Sequence, residues 1–230
     1  MKPKLLLLLI AAGIAACTPA PKSIPEGRWN YDLIVNNFKA GKAIFSNSVS
    51  DGNYIVKTEM YLNIGPIENK SVSIVTETKN FKPVKLEEYN TITDRSNGKV
   101  QEINTSAVFE GANVTLQSGD KQSILKIEED FILDGNYFIS KLIENQFKKG
   151  TIIEAHIYEP SVEIDTPILS AVEVKGYSSV KVGKKSMKLL HLKLKIENLK
   201  SIDMYLNEQG IAEKMVLNML NNEFVMERIE

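Results

Sequence analysis

Apolar and polar positions alternate with a period of two along most of this chain, the pattern of a β-strand with one dry face. It is clearest at Tyr54, Val56, Met60, Leu62 and Ile64, set against Lys57, Glu59 and Asn63. The same alternation runs through Tyr31, Leu33 and Val35, through Val72 and Ile74, and through Leu190, Leu192, Leu194 and Ile196 opposite His191, Lys193 and Lys195. One wet face is the mark of an antiparallel sheet, since parallel sheets are buried on both sides. Turn formers interrupt the runs at hairpin spacing: Asp51-Gly52-Asn53, Ser96-Asn97-Gly98, Glu110-Gly111-Ala112, Ser118-Gly119-Asp120, Val182-Gly183-Lys184, Asn207 to Gly210, and Asn221-Asn222. The spacing predicts a meander with strands near 29–36, 39–49, 53–64, 70–79, 82–93, 99–109, 112–118 and 122–128, and a second set beginning near 151.

Between the two sets the period changes. Asp134 can cap a first turn, Tyr137, Phe138, Leu142 and Ile143 form a stripe, Lys148 and Lys149 suit a C-terminal dipole, and Gly150 can close the element. This predicts one helix over 134–149 lying on the sheet and sealing its apolar face. Residues 211–220 fit either a second helix or a strand between tight turns, and Asn221-Asn222 favours the strand. Asp-Gly-Asn-Tyr occurs at 51–54 and at 134–137, but the flanking residues do not repeat, so no duplication is inferred. The predicted fold is mostly β, an α+β domain over 29–230 built on a large curved antiparallel sheet or half-open barrel with one helix packed on it.

The alternation is absent from the N-terminus. Lys2 and Lys4 precede an apolar run that begins at Leu5 and ends at Ile14-Ala15-Ala16, directly before Cys17, the only cysteine. A spanning helix needs about twenty apolar residues, and Pro19 and Pro21 stop this one from lengthening. A basic start, a short apolar core and small residues at the cut are the parts of a secretory leader. The site resembles the bacterial lipobox, which implies removal of residues 1–16 and acylation of Cys17 by a diacylglycerol and a further N-acyl chain such as palmitate. Residues 17–28 then read as a lipidated, Pro-rich tether. Thr18, rather than an aspartate, follows the cysteine, so the expected address is the bacterial envelope, at the outer membrane facing the periplasm. A lone thiol cannot form an internal disulfide, and lipidation accounts for its presence.

Charge and composition narrow the function. The chain carries a formal charge of −1, which lacks the clustered basic footprint of a nucleic-acid binder. With 43% hydrophobic and 25% charged residues it can bury an ordinary core without cross-links. His156 and His191 fall on polar faces and belong to no zinc-binding spacing. No nucleophile elbow, phosphate-cradling loop or Walker-type lysine is present. Glu128-Glu129-Asp130 and Glu159, Glu163 and Asp165 are clustered carboxylates without a positioned partner, the composition of solvated loops. The expectation is therefore a protein without catalytic residues, metal or cofactor.

Tyr31-Asp32-Leu33-Ile34-Val35 with Lys39-Ala40-Gly41-Lys42-Ala43, then Phe81-Lys82-Pro83-Val84, Val174-Lys175-Gly176 and Val180 to Lys184 resemble an uncharacterised bacterial envelope family, numbered 3108 in the domain-of-unknown-function series. Tyr177-Ser178 and Ala212-Glu213 depart from that family's pattern. The resemblance implies an architecture similar to the half-open β-barrels of outer-membrane lipoprotein carriers and receptors, which hold acyl chains on a concave apolar face. If the faces wrap in that way, Tyr31, Leu33, Tyr54, Val56, Met60, Leu62, Leu190, Leu192 and Leu194 point into one concavity, with Phe138 and Leu142 of the helix over it. A filled core explains the same alternation, and an enclosed apolar cavity would decide between the two. A third reading is an envelope-protein interaction module whose lysines, Lys184, Lys185, Lys188, Lys193 and Lys195, meet anionic headgroups or an acidic partner.

Overall fold

The computed structural model describes residues 20–197, 201–219 and 222–229. Cys17 and the leader lie outside the described residues. The first meander consists of β1 (Gly27–Val35), β2 (Phe38–Ser50), β3 (Asn53–Ile64), β4 (Ile67–Thr78), β5 (Pro83–Asp94), β6 (Lys99–Glu110), β7 (Asn113–Ser118) and β8 (Lys121–Lys126). A crossing segment with one helix, α1 (Asn136–Glu144), leads to the second: β9 (Ile152–Ile157), β10 (Ile168–Val182), β11 (Lys185–Ile196), β12 (Ile202–Leu206), β13 (Ala212–Met219) and β14 (Asn222–Ile229). The strand expected near 70–79 begins earlier, because Ile67 pairs with Ile64 across the turn at Gly65. The ambiguous segment at 211–220 is strand β13.

All fourteen strands form one antiparallel sheet in the order β8-β7-β6-β5-β4-β3-β2-β1-β14-β13-β12-β11-β10-β9. The two meanders run outward from a central β1–β14 pair, which matches Tyr31 to Arg228 and Leu33 to Met226. The edges β8 and β9 are thus consecutive in sequence and opposite in the sheet. Curvature brings them together. The Ile127 N–H donates to the Ala112 carbonyl at 2.8 Å on one side, and the Ile132 N–H to the His156 carbonyl at 2.9 Å on the other. Phe109 of β6 meets Tyr158, just past β9, with ring centroids 5.8 Å apart. The barrel therefore closes through a stitched segment and aromatic contacts, not through a ladder. Close approach within the wall is tightest at Gly41, where a Cβ would lie 1.9 Å from the Tyr61 carbonyl oxygen.

Because the strands alternate in direction, every turn falls at one of two ends. The crossing segment, α1, the turn of residues 207–211 and the start of β1 share one end. The β1–β2, β3–β4 and β5–β6 turns share the other. Helix α1 is shorter than the predicted 134–149, spanning only Asn136–Glu144. The Asn145 side chain donates to the Lys141 carbonyl at 2.9 Å, and Gln146 and Phe147 take positive φ, which turns the Phe147 ring into the core. Gly150 does not close the helix; its N–H donates to the Val174 carbonyl, leading the chain into β9. Asp134 is not the cap: Gly135 holds that position without a side-chain capping bond, and Asp134 accepts the Asn136 N–H at 2.6 Å in the turn that leads into α1.

The tether read over residues 17–28 is docked from Ala20 onward. Pro21 is buried, the Asn47 side chain donates to the Pro25 carbonyl at 2.9 Å, and β1 begins at Gly27. Pro21 and Pro25 lie over Gly210, whose φ of +81° suits the turn there. The two Asp-Gly-Asn-Tyr copies serve different ends, one opening β3 and the other α1.

Candidate functional site

Cross-strand register reads out the concave face in rows, since directly paired residues share a face. Next to the plugged end, Asn47, Val56, Val75, Leu86, Ala107 and Leu116 form one row. The next row is polar: Thr58, Ser73, Glu88, Thr105 and Ser118. Beyond it lie Ala43, Met60, Ser71, Asn90 and Ile103, then Gly41, Leu62, Asn69, Ile92 and Gln101, and at the turn Ile64 and Ile67. Val72 and Ile74, expected on the dry face, point outward, and Ser71, Ser73 and Val75 point in. Both faces of β4 carry β-branched residues, so period alone does not choose between them.

At the plugged end, apolar residues are consumed by packing. Phe138 and Leu142 of α1 lie against Val172, Val174, Leu190, Leu192 and Leu206, all at most 4% exposed. On the other wall Val56 packs beside Val75, Leu86, Phe109 and Tyr158, and Tyr54 stacks on Phe81 at 5.7 Å. Beyond the polar row, beside Met60, Tyr31, Leu33 and Ala43 form a third cluster with Trp29, Phe45, Leu62 and Met226. The predicted lining residues are thus divided among three clusters, and Met60 stands apart at 38% exposed. Leu194 packs at the margin of the α1 cluster.

A polar knot holds the plug, and the sequence carried no periodic signal for it. Glu77, fully buried at the end of β4, accepts the Leu133 N–H at 2.5 Å. Its other oxygen faces Asp134, which lies one residue before the Gly135 cap of α1. Burial raises the pKa of both carboxyls above the ordinary carboxylate range, and the negative charge of Asp134 raises Glu77 further. Glu77 is raised the further of the two, and burial beside a second carboxyl disfavours its charged form. Asn136 and Asn47 complete the knot through paired amides 3.1 and 3.3 Å apart.

At the opposite end, the wall of β3–β6 is bare. Met60 and Ile103 remain 38% exposed, and Ile64 and Ile67 more so, although all point to the concave side. A loop of residues 158–167 stands beside this mouth, held by the Tyr158 hydroxyl donating to the Ile164 carbonyl at 2.9 Å. Its Val162 and Ile164 are exposed. Glu88, in the polar row below, is pushed up to about 7, first by burial and then by the charge of Glu159.

Two grooves mark the plugged end. One of about 640 Å³ lies between residues 20–26 and the 208–211 turn. The other, about 840 Å³, lies in the seam between Phe81, Ala112, Phe131, Tyr137 and Glu154. None of the predicted cavity residues lines either groove.

On the outer face His191 is held rather than free. Its Nε2 lies 2.7 Å from Asp203 Oδ1 and its ring stacks on Tyr205 at 4.7 Å. Of the lysines there, Lys193 reaches Asp203 and Lys195 reaches Glu173, while Lys188, on the Leu190 side of β11, covers the Tyr177 ring. His156 sits 3.8 Å from Glu129. Among the described residues no group of three or more His, Cys, Asp or Glu could hold a metal ion, and no helix is long and apolar enough to cross a membrane.

These features define a β-barrel-like protein: one unclosed antiparallel sheet, plugged at one end and open at the other. A solved β-barrel-like protein of the domain-of-unknown-function family DUF1849 from Brucella abortus shares this fold, with a TM-score of 0.62 at 13% identity, covering 88% of this chain and 95% of that one. A DUF1089 family protein from Pseudomonas aeruginosa aligns over 83% of this chain at 11% identity with a TM-score of 0.39, too low to carry an argument. The sequence matches no protein-family model and no curated protein.

Proposed function

We propose that the chain is a bacterial envelope lipoprotein, anchored through Cys17 at the outer membrane facing the periplasm, that holds an acyl chain or similar hydrophobic molecule without catalysing a reaction. One observation carries the reading: an apolar band of Met60, Ile64, Ile67 and Ile103 is left uncovered on the concave side of a curved wall. Exposed apolar side chains inside a concavity are a feature of binding surfaces, whereas isolated ones on a convex surface need no explanation. In this reading the chain of the ligand lies on Met60, Leu62, Ile64, Ile67, Ile92 and Ile103. Its polar group meets the hydroxyls and amides of Ser71, Ser73 and Asn90. Membership of the envelope family numbered 3108 is part of the same proposal, resting on the short motifs and the half-barrel architecture.

Native mass spectrometry of the chain from Thr18 onward tests it. Stoichiometric co-purified lipid supports the proposal, and an empty protein that takes up no added long-chain fatty acid contradicts it. The second reading, a protein-interaction module, draws on the free edge strand β8, where Ile124 is 75% exposed. Capture of an envelope protein that is lost on Ile124→Lys would favour it.

A further inference from the structure

The groove in the seam, distant from the open mouth, exists because the sheet does not close: past Ile132 the edge of β9 has no partner strand, and the crossing segment spans the gap obliquely. At about 840 Å³ it has the size of a small-molecule site. Its apolar part is aromatic. Phe81 stands edge-on to Tyr137 with centroids 5.7 Å apart, and Phe131, whose ring packs against Phe109 and Tyr158, lines the groove from the crossing segment. Its rim is anionic: Glu128, Glu129, Asp130 and Glu154 line it against a single lysine, Lys82, and His156. Glu128 holds Lys126 at 2.7 Å and Glu129 lies 3.8 Å from His156, which leaves the rim negative when the histidine is neutral.

Aromatic faces attract cations as well as apolar surface, and carboxylates at the rim add to that attraction and repel anions. We propose that the seam groove is a second binding site, separate from the concave face, for an organic amine that carries a flat apolar body. The apolar body lies against Phe81, Phe131 and Tyr137, and the ammonium faces Glu129, Asp130 and Glu154.

Dansylcadaverine, a primary amine joined to a fused aromatic ring, tests this on the full chain by fluorescence titration, with its N-acetyl derivative as the uncharged control. The amine binds about tenfold tighter than the acetyl form at low ionic strength. That preference shrinks toward unity in about 0.5 M salt, where charge is screened within a few ångströms. The combined substitutions Glu129→Gln, Asp130→Asn and Glu154→Gln, all at exposed positions, remove the preference without moving the thermal midpoint. Equal binding of the two probes, or a preference that survives those substitutions, overturns the proposal. Ile103→Asp at the mouth leaves the amine's binding unchanged; loss of binding there would place the probe on the concave face and also overturn it. Failure here leaves the acyl-chain reading standing, since fatty-acid uptake is measured separately.

Discussion

The two ends of the half-barrel use the same alternation to opposite effect. Toward the crossing segment, Leu190 and Leu192 are covered by Phe138 and Leu142 and exclude solvent. Toward the turns, Met60 and Ile103 occupy equivalent inward positions with nothing over them. Alternation specifies which side of a strand is dry, but whether that side becomes core or surface depends on a covering element. Here α1 is only nine residues long and reaches one end alone.

Truncation should expose this contrast most strongly. Leu142→Ala removes a side chain with no solvent exposure and should cost about 2–5 kcal/mol in urea unfolding. Met60→Ala should cost less than about 1 kcal/mol, as exposed sites do. Equal losses would mean that the mouth is packed like the plug.

Binding should invert that ranking. Met60→Asp or Ile103→Asp should weaken a fluorescent long-chain fatty acid by about tenfold or more, because a desolvated carboxylate opposes the acyl chain. Their unfolding midpoints should stay near that of the parent. A mouth variant that unfolds the protein, with binding lost only in proportion, would break the distinction.

A smaller effect separates the carboxyls of the two ends. Glu77 binds its proton more tightly folded than unfolded, so its stabilising contribution is complete below the ordinary carboxylate pKa and is lost as pH rises through the higher folded value. Stability should therefore fall between about pH 5 and pH 9. Glu77→Gln, which can still accept from the Leu133 N–H and does not titrate, should flatten most of that slope. A slope unchanged in this variant would remove Glu77 from the plug's knot. Glu88→Gln should remove only a shallow component centred near its value of about 7, since Glu88 is partly open to solvent.

Strand positions were legible because each run ended at a turn former, so β3 at Asn53–Ile64 matches the expected 53–64. Facing was legible where one side carried charge, as with His191, Lys193 and Lys195, and illegible at β4, where Val72 and Val75 mark opposite faces. The helix end was misread because Lys148, Lys149 and Gly150 form an end signal that Asn145 and Phe147 pre-empt. Nothing local announced Glu77: a strand-end glutamate has the same composition whether it is solvated or paired with a residue 57 positions later. The polar row through Glu88 escaped notice for a similar reason, since it exists only across strands. The same holds for the seam groove, which no single segment contains.

The most direct test of an open, ligand-holding mouth is photo-crosslinking with a diazirine-bearing long-chain fatty acid, mapped by mass spectrometry. Labels should concentrate on Met60, Ile67 and Ile103 and spare Leu142 and Leu190. Labels confined to the outer face, or none above a denatured control, would contradict the account.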